Sequence, residues 1–221
     1  MKNHLKRIAA PRTWKLNRKE HKFTLRPNCG AHSLDNGLAL GVILRDHLGV
    51  VSTMSEAEKL LNNNEILIDG KRKKDRKTIV GLFDRLTISK LGLNYELSLN
   101  DKGRLIVSEI SPEESSVKIL KVIGKTVLPK NKIQLNLYDG KNIFYDQPVK
   151  VGDSVLISLP DLKIKGILPL KEGANVFLVK GKHAGSKGIL KSIKDESAHY
   201  VDNDKNEVET SKRYLFVLNK N

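Results

Sequence analysis

The pattern of apolar and polar residues predicts two short helices early in the chain. In residues 38–49 the aliphatic side chains lie three or four positions apart, and Gly49 stands where a helix commonly ends. The hydroxyl of Thr53 or of Ser55 suits the first turn of a second helix, which stops at the asparagine run 62–64.

A strand and a basic turn follow these helices. Residues 66–68 are all aliphatic, and the pair Asp69-Gly70 after them is typical of a tight hairpin turn. A longer apolar segment, residues 78–88, predicts a further strand region. We therefore expect residues 38–88 to form one compact segment, in the order helix, helix, strand, basic turn and strand.

The period changes from helical to alternating at Asn94. Tyr95, Leu97 and Leu99 alternate with polar residues ahead of a turn signal at residues 100–103. Similar alternation continues downstream, so residues 92–170 predict a small antiparallel β-domain. In the last part of the chain, further strands are expected at residues 175–179, 188–193, 198–201 and 213–218.

Composition points to a polyanionic partner. The chain has 40 Lys and Arg against 25 Asp and Glu, a net charge of +15, and only 5% aromatic residues. Nucleic acid is the leading candidate for a protein of this charge. We expect a soluble, intracellular protein, because there is no secretory signal and no apolar run long enough to span a membrane. The single cysteine, Cys29, excludes a disulfide framework and a zinc site of several thiolates.

The N-terminal segment carries much of this charge. Residues 1–30 hold nine basic residues and one acid, Glu20, and thus +8 of the net +15. With few aliphatic residues, the segment is predicted to be largely disordered alone and to fold along RNA phosphates, with Trp14 free to stack on a base. A solvated tail and a nuclear or nucleolar address are the alternatives. The candidate RNA contacts here are Lys6, Arg7, Arg12, Trp14, Lys15, Arg18, Lys19 and Arg26.

Two further basic clusters are candidate RNA contacts. Residues 71–77 contain six bases and one acid directly after the predicted hairpin turn, so the fold can orient them. Residues 180–188 contain three glycines and three lysines, a composition that lets backbone amides approach an anion. The candidates are Lys71, Arg72, Lys73, Lys74 and Arg76 in the first cluster, and Lys180, Lys182, His183 and Lys187 in the second.

The sequence favours no catalytic site. In the glycine-rich loop, Gly185 is followed by Ser186 and then by a β-like segment, which does not fit a nucleotide-binding loop. The six histidines never pair at helical spacing, so no metal site is predicted. Some pseudouridine synthases place a catalytic aspartate after Gly-Arg-Leu, but Ile106 follows that tripeptide here. We predict no catalytic residues, metal or cofactor.

Several motifs together resemble one family. Residues His4–Trp14 closely resemble the amino terminus of the small-subunit ribosomal protein family S4e of archaea and eukaryotes. Further matches follow in the same order and span essentially the whole chain: Leu40–Asp46, Ile68–Lys71, Val80–Asp84, Gln134–Ile143 and Val151–Asp153. The collinear set is far more specific than any one motif.

This resemblance implies an α+β, multi-domain architecture. The expected parts are a basic N-terminal extension (1–37), an alpha-L RNA-binding module (38–91), a central antiparallel β-domain (92–170) and a C-terminal KOW-type, SH3-like β-barrel with a tail (171–221). In the alpha-L module, Arg45 would join the residues of the 71–77 cluster. Where the family's KOW loop usually has an Arg-Asn pair, this chain has Lys182 and His183, and a lysine cannot grip phosphate bidentately.

The implied function is structural. The chain would bind small-subunit rRNA and neighbouring small-subunit ribosomal proteins in the cytoplasm, without a membrane, a small-molecule substrate or a second copy of itself. The alternative is a KOW-bearing transcription or translation factor that binds RNA or the ribosome transiently. A factor of that kind does not explain the presence of an alpha-L module or of so basic an N-terminal segment.

Overall fold

The computed structural model describes most of the chain, in five ranges. These are residues 4–63, 65–129, 132–145, 147–202 and 206–218. Several residues to which a prediction applies lie outside these ranges. They are residues 1–3 of the basic segment, Asn64 at the predicted helix end, and residues 203–205 and 219–221 of the predicted barrel and tail. Within the described ranges, no helix is both long and apolar enough to cross a membrane.

The fold is mixed, with few helices and several antiparallel sheets, and it divides into two units. Unit 1 comprises Met1–Leu99 and Arg104–Ser116, and unit 2 comprises Asn100–Gly103 and Val117–Asn221. Each unit has its own buried core, as described below.

The described part of unit 1 contains nine short strands. They are β1 (Leu5–Lys6), β2 (Phe23–Thr24), β3 (Gly37–Ala39), β4 (Ile66–Ile68), β5 (Lys71–Arg72), β6 (Ile79–Gly81), β7 (Arg85–Ile88), β8 (Leu93–Leu99) and β9 (Leu105–Glu109). β1 pairs with β2, β3 pairs with β6, and the other five form an antiparallel sheet in the order β5-β4-β7-β8-β9.

The helices of unit 1 lie close to their predicted positions. α1 (Leu40–Val42) continues as a π-helical turn, Ile43–His47, and α2 spans Met54–Asn63. The first helix starts two residues later than predicted, because residues 38 and 39 pair with β6. A short third helix, α3 (Pro112–Ser115), was not predicted.

The predicted cap of the second helix is confirmed at Thr53. The Glu56 amide donates to Thr53 Oγ1 at 3.2 Å, and the Glu56 carboxylate accepts from the Ser52 and Thr53 amides at 2.8 and 3.3 Å. This reciprocal arrangement is a capping box, which satisfies amides at the start of the helix. Ala57 and Leu61 then point from the helix into the core, each fully buried.

The apolar segment 78–88, predicted as one strand region, is two strands in different sheets. β6 and β7 are separated by a turn in which Phe83 adopts a positive φ of 65°. The Asp84 carboxylate accepts a hydrogen bond from the Gly81 amide at 2.7 Å and so stabilises this turn. The apolar pattern did not reveal the turn because Leu82 and Phe83 are themselves buried.

The five-stranded sheet also crosses the boundary predicted between residues 91 and 92. β8 pairs with β7, with Leu86 opposite Tyr95, and β9 pairs with β8. Leu97 and Leu105 are buried in the same unit as the earlier strands. The hairpin β8–β9 therefore belongs to the sheet that contains β4, β5 and β7 and to neither sheet of unit 2.

Among the described residues of unit 2, ten strands form two antiparallel sheets. They are β10 (Val117–Leu128), β11 (Lys132–Leu137), β12 (Asn142–Phe144), β13 (Ser154–Ser158), β14 (Ile164–Leu168), β15 (Asn175–Leu178), β16 (Lys187–Lys194), β17 (Ser197–Asp202), β18 (Glu207–Ser211) and β19 (Leu215–Val217). One sheet has the order β12-β11-β10-β13-β14 and the other β18-β17-β16-β15-β19. The strands predicted here are present, whereas β12 and β18 were not predicted.

Each sheet of unit 2 buries its own apolar cluster. Leu120 and Leu135 belong to the cluster of the first sheet, and Leu190 and Tyr200 to that of the second. Lys121, on β10, links the two sheets, since its ammonium donates to the carbonyls of Lys212, Arg213 and Leu215 at 3.1, 2.9 and 2.8 Å. Burial, together with the nearby charge of Lys212, lowers the pKa of Lys121 to about 8.

A buried charge cluster lies within the first sheet of unit 2. Lys118 is fully buried, and its ammonium lies 3.3 Å from Asp139 Oδ2, which also lies 2.7 Å from the Lys141 ammonium. Burial alone would raise the pKa of Asp139, but the charges of Lys118 and Lys141 and the hydrogen bonds from Lys141 outweigh it and lower that pKa below its ordinary value. Asp139 therefore serves the internal charge balance of the sheet.

Candidate nucleic-acid interface

The described part of the N-terminal basic segment is folded against unit 1. Trp14 is 2% exposed, and its indole N–H donates to the Leu34 carbonyl at 3.0 Å. Its backbone lies beside Leu105 in a parallel bridge, and the Leu105 amide donates to the Thr13 carbonyl at 2.7 Å. The predictions that this segment lacks a core and that Trp14 is free to stack on a base are therefore wrong, because residues distant in sequence supply the packing.

Two arginines of the segment bind its own backbone. Arg7 is 3% exposed, and its Nη1 donates to the Asn17 carbonyl at 2.9 Å and to Glu20 at 3.2 Å. The Arg18 guanidinium donates hydrogen bonds to four backbone carbonyls, at 2.8–3.2 Å. These are the carbonyls of Arg7, Ile8, Ala10 and Pro11. Arg7 is thus engaged inside the protein rather than presented at the surface. Arg18 keeps a full positive charge in a fixed position, because carbonyl groups are neutral.

The remaining basic residues of this segment are more open to solvent. Lys6, Arg12, Lys15 and Lys19 are exposed, and Arg26 is half-buried. Several of them line a cavity of about 960 Å³ that lies wholly within unit 1 and that we call the basic cavity. Its lining residues are Arg7, Arg12, Trp14, Lys15, Leu16, Asn17, Arg18, Lys19, Glu20, Asp46, His47 and Arg104.

The two acids of the basic cavity are already paired with arginines. Glu20 accepts from Arg7, and Asp46 accepts from Arg45 Nε at 2.7 Å and from Arg45 Nη2 at 3.0 Å. The hydrogen bonds from Arg45 to Asp46 raise the pKa of Arg45, although burial opposes them. Arg45, a predicted RNA contact, is therefore half-buried and hydrogen-bonded to Asp46. Because the other charged residues of the lining are lysines and arginines, the basic cavity is strongly cationic.

His47 adds a neutral polar group to the basic cavity. Burial lowers the pKa of His47 from its ordinary 6.5, and the charge of Lys15 lowers it further, although Asp46 opposes them. The imidazole is therefore uncharged at neutral pH. Its Nε2 is buried and has no hydrogen-bond partner among the described residues.

The second basic cluster lies on and after the hairpin β4–β5, as predicted. Asp69 and Gly70 form its turn with positive φ angles of 49° and 75°. Lys71, Arg72 and Lys74 are exposed, whereas Lys73 and Arg76 are half-buried. Two arginines of the cluster bind α2: Arg72 Nη2 donates to the Asn62 carbonyl at 3.3 Å, and Arg76 donates to the Met54 carbonyl at 3.1 Å and lies 3.3 Å from Glu58.

The third cluster occupies a turn of unit 2 and the first residue of β16. Lys180, Lys182, His183 and Lys187 are all exposed. Backbone hydrogen bonds hold the turn, including one from the Gly185 amide to the Leu178 carbonyl at 2.8 Å. Gly185 has a φ of 97°, and a Cβ there would lie 1.9 Å from the Asn100 carbonyl oxygen, so this position requires glycine. The glycine-rich loop is thus a hydrogen-bonded turn.

Sequence reasoning missed Arg104 as part of the basic cavity. In the sequence, Arg104 stands out only as part of the Gly-Arg-Leu tripeptide that was compared with pseudouridine synthases. Its place beside the N-terminal segment follows from the pairing of Trp14 with Leu105, a long-range contact that no local pattern reveals. Among the described residues, no group of three or more His, Cys, Asp or Glu side chains is placed to hold a metal ion.

Comparison with known proteins identifies the family. The model of the ribosomal family S4e matches residues 91–164, and that of the RS4NT domain matches residues 1–35. The small ribosomal subunit protein eS4 of Methanocella arvoryzae is 37% identical over 99% of this chain and 94% of its own length. That of Archaeoglobus fulgidus is also 37% identical, over 98% of this chain and 93% of its own.

A solved structure agrees with these relatives. The crystal structure of the 30S ribosomal protein S4e from Thermoplasma acidophilum matches with a TM-score of 0.71 and 32% identity, covering 83% of this chain and 95% of that one. The resemblance inferred from the collinear motifs is confirmed, and the transient-factor alternative is not favoured. The chain belongs to the S4e family of ribosomal proteins.

Proposed function

We propose that this chain is a structural constituent of the small ribosomal subunit that binds small-subunit rRNA and neighbouring ribosomal proteins in the cytoplasm. The observation that carries the proposal is the nearly full-length match to small-subunit eS4 proteins. The binding is architectural: lysines and arginines replace the counterions of RNA phosphates, and the folded units fix where those charges lie. The RNA-bound protein supports folding and assembly of the subunit and carries out no chemical reaction.

The proposed modules are those of the family. Residues 1–37 are the basic extension, 38–91 the alpha-L module, 92–170 the central β-domain and 171–221 the KOW-type barrel. The helix pair followed by the hairpin β4–β5 supports the second of these, and the sheet β18-β17-β16-β15-β19 supports the fourth. Because β8 and β9 pair with β7, we place the hairpin β8–β9 with the alpha-L module in space.

The proposed RNA contacts are the exposed members of the three basic clusters, together with the half-buried Arg26 and Lys73. Exposed side chains reach phosphates without breaking internal hydrogen bonds, whereas Arg7 and Trp14 shape the surface from below. Arg18, Arg45 and Arg76 combine both roles, since each binds the protein and remains partly exposed. The contacts proposed to be direct are Lys6, Arg12, Lys15, Lys19, Arg26, Lys71, Arg72, Lys73, Lys74, Lys180, Lys182, His183 and Lys187.

A competition between rRNAs tests this proposal. The purified full-length chain is mixed with labelled small-subunit rRNA in 150 mM salt, and unlabelled small-subunit or large-subunit rRNA is added as competitor. We expect small-subunit rRNA to displace the labelled RNA at a concentration at least about tenfold lower than large-subunit rRNA does. The reason is that recognition of a specific RNA shape adds to the sequence-independent electrostatic attraction. Equal competition by both rRNAs would contradict the proposal.

A further inference from the structure

We propose that the basic cavity of unit 1 binds a single nucleotide extruded from an RNA strand, with its phosphate against the lysines and arginines. This inference rests on the proposed RNA-binding function and adds to it a defined pocket for an unpaired nucleotide. Two features of the basic cavity carry it: an uncompensated positive charge and a concave shape.

The charge is fixed and uncompensated. Arg12, Lys15 and Lys19 form no ion pair within the described part of the chain, and both acids of the basic cavity are paired with arginines. The Arg18 guanidinium is held by four carbonyls, so its charge needs no reorganisation to receive an anion. A phosphodiester supplies the charge that this site lacks.

The shape distinguishes an extruded nucleotide from a paired one. A volume of about 960 Å³ is typical of pockets for small organic groups. The backbone of an RNA duplex is convex and its bases are covered by stacking, whereas loops and bulges present bases that a protein can enclose. The exposed hairpin β4–β5, by contrast, suits the outside of a duplex.

Two RNA hairpins of equal length test the proposal. Both have the same stem, and one carries a single bulged 2-aminopurine. Binding is followed by anisotropy of an end label, and the bulged base by its own fluorescence. We expect the full-length protein to bind the bulged hairpin about tenfold more tightly, the scale of one hydrogen bond to a charged group, and to change the 2-aminopurine emission on binding.

Matched variants locate the effect. K15A/K19A removes two exposed lysines of the basic cavity, and K59A/K90A removes two exposed lysines of unit 1 outside it. We expect K15A/K19A to bind both hairpins equally and K59A/K90A to keep the tenfold preference. Tight binding of both hairpins by the unaltered protein with no preference would overturn the pocket and leave the proposed function intact. Failure to bind either hairpin or rRNA would count against the function itself.

A free nucleotide is the other source of the same chemistry. Adenosine monophosphate is titrated into the complex of the protein with the bulged hairpin. We expect no displacement at micromolar concentrations, because the free nucleotide lacks the flanking phosphates that the surrounding bases bind. Displacement at micromolar adenosine monophosphate would overturn the assignment to RNA.

Discussion

The imidazole Nε2 of His32 lies 3.3 Å from both carboxylate oxygens of Asp84, and both side chains are almost fully buried. The ring also lies so close to Gly81 that a Cβ there would come within 2.0 Å of it. Because Asp84 in turn accepts from the Gly81 amide, one interaction ties the end of the proposed N-terminal extension to the turn between β6 and β7. The extension is therefore part of the folded unit.

We predict that H32A lowers the free energy of unfolding of unit 1 by about 1–3 kcal/mol, the cost of removing one partner from a buried polar pair. Urea denaturation followed by circular dichroism measures the loss. The control is H21A, whose side chain is 67% exposed and whose removal should change stability by less than about 0.5 kcal/mol. Equal effects of the two variants would show that the pair with Asp84 contributes nothing.

Trp14 is expected to report core packing rather than RNA stacking. It is the sole tryptophan of the chain, so its fluorescence is unambiguous. Saturation with the RNA hairpin that carries no bulge should leave the emission nearly unchanged, since the indole is buried and bound to the Leu34 carbonyl. W14A should cost about 3–5 kcal/mol of stability, as for other large buried aromatic residues. Strong quenching by that hairpin would restore the stacking role that the sequence suggested.

Asp139 should contribute stability that depends on pH. Its pKa is lowered in the folded protein, so the contribution is fully present above the unfolded value of 3.8 and is lost as the pH falls through the lower folded pKa. D139N leaves the buried Lys118 charge without its carboxylate partner and should cost about 3–5 kcal/mol at neutral pH. Urea midpoints from pH 2 to pH 7 should show the difference shrinking in acid. The exposed D161N is the control, and a constant difference would contradict the charge argument.

The hairpin β4–β5 should contribute to the salt dependence of RNA binding. If about eight phosphates are neutralised, log K falls against log salt with a slope of about −6 to −7. K71A/K74A removes two exposed lysines and should make that slope shallower by about 2. K163A/K165A, on and beside β14, removes the same charge and should leave the slope unchanged. Anisotropy titrations at four salt concentrations measure both variants.

Local patterns were enough for much of the β-structure. The alternation around Leu97 and the Asp-Gly pair at residues 69–70 predicted a strand and a turn that the structure contains, because period-two burial and positive-φ turns are local properties. The basic cavity was not predictable in this way. It depends on Trp14 meeting Leu105, and a basic segment with few aliphatic residues gives no local sign of such a partner.

The most direct test of the account is a sucrose-gradient profile of lysate from the source cells, with this protein quantified by mass spectrometry before and after a high-salt wash. The account predicts a stoichiometric amount of the protein in the small-subunit fractions, retained after the wash. Recovery only in light fractions, or complete release by moderate salt, would contradict a structural role in the small subunit and favour a factor that binds transiently.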